Sequence, residues 1–105
     1  MKPAFVGEVI LYLDYATPVD DLRRETNRIV NASANWDHRD CVVQVVDSTP
    51  SAIVVRVFAS AADASLAWNL RCELREGLVR FVNDRFPQCL PLVRVQVPGG
   101  AAPQQ

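Results

Sequence analysis

An α+β fold with the element order β-α-β-β-α-β is predicted by three observations. Two stretches carry apolar residues at helical spacing, and each opens on a hydroxyl followed three residues later by a carboxylate, Thr17-Pro18-Val19-Asp20 and Ser60-Ala61-Ala62-Asp63. Four other stretches alternate or are rich in β-branched residues. The order of these stretches repeats a β-α-β pattern twice, with a turn-rich junction between the two middle strands.

The first strand is read over Glu8–Tyr15, with Val9, Leu11, Leu13 and Tyr15 on one face and Glu8, Ile10, Tyr12 and Asp14 on the other. Thr17 is the expected N-cap of the first helix, Pro18 its first residue, and Asp20 a carboxylate near the free N–H groups. Val19, Leu22, Ile29 and Val30 form that helix's apolar stripe to about Ser33, and Ala34 to Asp40 breaks the period as a loop. Cys41–Asp47 and Ala52–Ser60 form a hairpin about Ser48-Thr49-Pro50-Ser51. Val43 and Val45 are expected to face the core with Ile53, Val55 and Val57, leaving Gln44 and Arg56 toward solvent. A second helix of about 25 residues runs to Phe86, before Pro87, and would be about 37 Å long. Its stripe is Leu66, Leu70, Leu74, Leu78, Phe81 and Val82. Leu92 to Val97 alternates again, with Val93, Val95 and Val97 on one side. Two right-handed β-α-β halves joined by a hairpin give a four-stranded antiparallel sheet with both helices on one face, the ferredoxin-like arrangement. Residues 1–98 are read as this single domain and 99–105 as a flexible tail.

Composition narrows the function classes. A chain of 105 residues is one domain's length, and 50% apolar with 22% charged residues is ordinary globular usage. Eleven Lys and Arg against twelve Asp and Glu leave a net charge of -1, so no overall basic field exists to collect nucleic acid. No run reaches the roughly 18 apolar residues of a membrane helix, and the N-terminal stretch does not read as a signal peptide. Cys41, Cys72 and Cys89 include no C-x-x-C pair, and with one His no ordinary four-ligand zinc site assembles; the three are read as structural thiols in a reducing compartment.

The junction Asp14-Tyr15-Ala16-Thr17-Pro18 lacks the glycine-rich loop an acyl phosphate would need, and lacks the paired cysteines of a metal carrier. Tyr12 and Phe58, with Arg56 near them, sit on exposed strand faces where RNA bases could stack. Contact with a neighbouring domain or subunit is the preferred reading. Trp36-Asp37-His38-Arg39-Asp40 is the one place where His, carboxylates and Arg converge. With no serine or cysteine motif beside it, it is read as a solvated turn anchored by Trp36. Arg71, Arg75, Arg80 and Arg85, interleaved with Glu73, Glu76 and Asp84, are read as a solvated or subunit-facing helix flank.

Several of these stretches also carry a resemblance. Gly7-Glu8-Val9-Ile10-Leu11-Tyr12-Leu13-Asp14-Tyr15-Ala16-Thr17-Pro18-Val19, Trp36-Asp37, Val43-Gln44-Val45-Val46-Asp47 and above all residues Ser60 to Glu76 resemble the cytoplasmic C-terminal domain of the small-conductance mechanosensitive channel (MscS-like) family. The resemblance runs from about Val6 to Val97. It implies a homo-oligomer, a heptamer in the full-length parent, whose vestibule lies on the cytoplasmic side of a bacterial inner membrane. In that parent the membrane is met only through upstream segments, ions are the permeating species, and the present chain is one segment of a longer protein. The expected role is vestibule assembly and ion filtering without catalysis, metal or cofactor. Tyr12, Arg56, Phe58, Arg71, Arg75 and Arg80 are the candidate subunit-interface or vestibule-surface residues. His38 stands where relatives commonly carry glycine. Val93–Val97 is expected either as the sheet's fourth strand or as a strand shared between subunits in a small barrel. The alternative from another class is an ACT-like small-molecule-binding regulatory domain of the same architecture.

Overall fold

The computed structural model describes residues 5–89. Their order is β1 (Phe5–Leu13), α1 (Val19–Asn31), β2 (Cys41–Ser48), β3 (Ile53–Ala61) and α2 (Ala64–Arg85), followed by a short 3-10 turn, Pro87–Cys89. The three strands form one antiparallel sheet in the order β1-β3-β2. The fold class is thus α+β with a three-stranded antiparallel sheet and two helices. The expected fourth strand, Leu92–Val97, lies outside the described residues.

The alternation in β1 and β3 dictates which face is buried. Val9, Leu13, Ile53, Val55, Val57, Ala59 and Ala61 point into one core with Leu22 and Val30 of α1 and Leu70, Leu74, Leu78 and Val82 of α2. The long-helix stripe is the largest contributor. Leu70, Leu74 and Leu78 are fully buried, and each such side chain stabilises by about 1.5–3 kcal/mol relative to exposure. The stripe starts on Ala67 rather than Leu66, which is half-buried along with Phe81. Thr26, a polar residue within the α1 stripe, is buried because its hydroxyl donates to the Leu22 carbonyl at 2.7 Å.

The structure corrects four local expectations. Thr17 does not cap α1: its hydroxyl and its backbone N–H both go to the Asp14 carbonyl, at 2.7 and 3.0 Å. Pro18 takes the cap position without a side-chain bond. Asp63 alone caps α2, accepting from Leu66 N at 2.8 Å, while Ser60 stays in β3. Tyr15 lies beyond β1, exposed in a turn, with its hydroxyl donating to the Thr49 carbonyl. Val45 is 46% exposed instead of buried. The pairing of β2 with β3 shifts between Val45 and Asp47, so Val46 is an extra, bulged residue at the end of β2, an edge strand among the described residues.

Glycine permits one close approach that sets the layer spacing. A Cβ on Gly7 would lie 2.7 Å from the Ala67 carbonyl oxygen and 2.8 Å from Arg71 N, both backbone atoms of α2. The absence of a side chain there lets α2 lie directly on β1.

Candidate interface on the open sheet face

Both helices cover the same face of the sheet, so Val6, Glu8, Ile10 and Tyr12 of β1 and Arg56 and Phe58 of β3 lie on an outer face that no helix among the described residues covers, although Val54 and Ser60 on the same side of β3 are buried. Antiparallel register assembles them into rows: Glu8, Phe58 and Val42; Ile10, Arg56 and Gln44; Tyr12, Val54 and Asp47. Val6, Ile10 and Tyr12 are 42%, 37% and 55% exposed, although an outer strand face that met only water would carry mostly polar side chains.

At the centre of this face, Arg56 forms an ion pair with Glu8 across the diagonal of adjacent strands. Its guanidinium also lies 4.4 Å from the Phe58 ring centre. The charge is held flat against the sheet between a carboxylate and an aromatic ring, leaving apolar surface on both sides of it. Three of the candidate residues, Tyr12, Arg56 and Phe58, therefore share one surface. Tyr12 is paired with Val54, four residues from Phe58 on β3, so the two aromatic side chains are about 14 Å apart along the strand. One side of the Phe58 ring is taken by Arg56. This geometry does not make a pair of adjacent stacking platforms.

The arginines of α2 are placed elsewhere. Arg71 lies at the outer edge of β1, where its Nε donates to the Glu8 carbonyl at 3.2 Å and its guanidinium sits 5.0 Å from the Trp68 ring centre. Arg75 is exposed on α2. Arg80 lines a groove of about 320 Å³ between the helices, together with Glu25, Arg28, Asp84 and Arg85. The groove charges alternate in sign, and Arg28 is already paired with Glu25. The six candidate residues thus divide between the outer sheet face, the β1 edge and the helix side.

The loop that gathers His and carboxylates is a structural clasp. Ser60, 4% exposed, accepts from Asp40 N at 2.7 Å and donates to the Asp37 carboxylate, while Ser60 N donates to the Asp40 carbonyl at 2.9 Å. Trp36 Nε1 donates to the same Asp40 carbonyl at 3.0 Å, and the indole packs on the core. His38 adopts φ 65°, the left-handed region, and its ring centre lies 4.5 Å from that of Trp36, with the two planes tilted by 45°. This is where glycine would be favoured, which accounts for the unusual turn at this position. Burial pushes the Asp37 carboxyl up. The Ser60 hydroxyl, the Arg39 backbone N–H and the Arg39 charge outweigh it and hold the group below its ordinary value. The role of Ser60 was missed in the sequence, where it stood as a helix cap. Its serine-in-β3 position opposite a loop aspartate was the available signal.

The cysteines are free thiols, Cys89 buried and Cys41 and Cys72 half-buried; burial raises the Cys41 thiol above its usual value. Among the described residues, no group of three His, Cys, Asp or Glu side chains is placed to hold a metal ion. Among the same residues, no helix is long and apolar enough to cross a membrane. No family model matches the chain, and no curated protein matches it.

Proposed function

We propose that this chain is an assembly domain of the kind found in the cytoplasmic vestibule of MscS-like channels, acting by contact with other copies of itself and not by catalysis. The observation that carries the reading is the outer sheet face, open among the described residues, where Val6, Ile10 and Tyr12 surround the Glu8–Arg56 pair. A two-fold contact across this face would set Glu8 of one copy against Arg56 of the other, so the patch is complementary to itself in charge as well as apolar in character. The sequence resemblance over Val6–Val97 supports the same reading, and so does the use of Asp37, Asp40 and Ser60 in a loop clasp. In the parent, Arg75 and Arg80 would present charge to the vestibule openings, and ions would be the permeating species.

The complete domain is proposed to be ferredoxin-like, with four strands. In support, Asp14 N donates to the Cys89 carbonyl at 2.9 Å, which returns the chain after α2 to the end of β1.

Sedimentation equilibrium of the chain, with and without Tyr12→Asp, tests the assembly role. Concentration-dependent association weakened at least tenfold by the substitution is expected. A monomer at all concentrations, together with a parent whose assembly ignores Tyr12→Asp, would remove the reading. Charge reversal at Arg75 and Arg80 in the parent is expected to change assembly or ion preference. A saturable rise in melting temperature with an amino acid or nucleotide would favour the ACT-like alternative instead.

A further inference from the structure

In β2 an uncharged run meets an unpaired margin. Cys41 to Val46 reads C-V-V-Q-V-V, six residues with no charge, no proline and no glycine, and four of them valine. That is the composition of a segment that pairs readily with copies of itself. Val45 and Val46 are 46% and 48% exposed, and among the described residues no strand lies beyond β2. The register fixes which polar groups face the margin. The Val43 carbonyl reaches away from β3 to Arg23, and groups that point the same way recur every second residue, so Cys41, Val43 and Val45 turn their N–H and C=O outward.

Edge strands commonly carry a lysine, a proline or an inward charge within the strand itself. Here the nearest charges in sequence, Asp40 and Asp47, flank the run, and the charge over its centre comes from another element. Arg23 of α1 lines a groove of about 330 Å³ with Asn27 and residues Cys41 to Gln44 of β2, and its Nη2 donates to the Val43 carbonyl at 3.4 Å. Its Nη1 donates to Asp20 Oδ1 at 2.7 Å, one turn earlier on the same helix. One guanidinium nitrogen is therefore anchored to α1, while the other stands where the N–H of an incoming strand would dock. Arg24, the next residue, is paired with Asp21 and lines a different groove, the one between the two helices.

We propose that Arg23 guards the β2 margin: its guanidinium, held by Asp20, excludes antiparallel addition of β2 from a second copy, which the uncharged run would otherwise accept. A strand arriving at the Val43 carbonyl must displace the guanidinium or pair against a desolvated charge, and a bare strand edge imposes neither. The bulge at Val46 limits the matching stretch to Cys41 through Val45. About a two-fold axis at Val43 that stretch is its own partner, with Cys41 opposite Val45 of the other copy. The guarded surface is the sheet's margin and not its outer face, so the inference stands apart from the assembly reading.

Sedimentation velocity of the full chain tests this in a Tyr12→Asp background, which keeps contact through the outer face out of the measurement. Adding Arg23→Ala is expected to lower the concentration at which the chain associates at least tenfold. Adding Arg24→Ala, the same loss of charge on the same helix, should leave it unchanged. Amide exchange at Val43 should slow on association with the native circular dichroism retained, and Val45→Lys, a charge on the margin itself, should return the Arg23→Ala chain to the monomer. Arg23→Met keeps the aliphatic stem over the groove and removes the guanidinium alone. It is expected to associate as Arg23→Ala does, and it decides the matter should Arg23→Ala not fold. Arg23 variants that associate no more than the Arg24 variant, association that survives Val45→Lys, or association without slower exchange at Val43 would each overturn the inference.

Discussion

Replacing Gly7 by alanine isolates the contact that holds α2 on β1. The added Cβ would meet two backbone atoms of α2 at 2.7 and 2.8 Å, and Arg71 Cα at 3.1 Å. None of these belongs to a movable side chain, so the helix itself has to shift. Overpacking of this kind costs about 1–3 kcal/mol. The narrower unfolded ensemble of alanine offsets about 0.4–1 kcal/mol of that, leaving a net loss centred on about 1.3 kcal/mol. At about 4–8 °C per kcal/mol for a domain of this size, the melting temperature should fall by roughly 5–10 °C. Gly77→Ala is the matched control. There the added carbon meets only Ile29 Cδ1 at 2.7 Å and Cγ1 at 3.3 Å, a side-chain end that can rotate. The helix gains about 0.8–1 kcal/mol from losing a mid-helix glycine, against a rotamer cost of about 0.5–1.5 kcal/mol at Ile29. Gly77→Ala should therefore stay within about 0.7 kcal/mol of the parent sequence. Urea and thermal unfolding followed by circular dichroism give both numbers. Gly7→Ala melting at or above the parent, or both variants losing the same stability, would refute the argument.

Three further outcomes are expected. His38→Gly relieves the left-handed backbone and should stabilise by about 0.5–1 kcal/mol, whereas His38→Val should destabilise, as read by the same melts. Asp37 binds its proton less readily folded than unfolded, so its stabilisation is complete at neutral pH. It is lost as pH falls through the unfolded carboxylate value near about 3.9 and on toward the lower folded one; Asp37→Asn should flatten that acid limb in urea titrations at stepped pH. Leu74→Ala should cost about 2–5 kcal/mol in urea midpoint, because the residue is fully buried under both layers.

The strands and helices were legible because their periods were clean: Leu70, Leu74 and Leu78 mark one helix line, and Val55 and Val57 one strand face. What escaped was decided by tertiary partners. Thr17 had the chemistry of a cap, but the turn Asp14–Thr17 drew its hydroxyl inward. Val45 matched the inward pattern, yet an edge position beside a bulge left it in solvent. Of the candidate surface, Tyr12, Arg56 and Phe58 could be placed on one face from alternation alone. The locking of Arg56 between Glu8 and Phe58 depends on a diagonal pairing between strands 48 residues apart, which no local pattern encodes.

The two sides of the sheet differ in a way that limits how copies could join. On the β2 side, Arg23 of α1 reaches to the Val43 carbonyl at 3.4 Å, and the bulge at Val46 bends the strand's end. That side is a poor template for a further strand. Growth by edge-to-edge strand pairing needs two open margins per molecule, and among the described residues only the margin along β1 is a good template, so direct pairing of two such margins would stop at a two-fold pair.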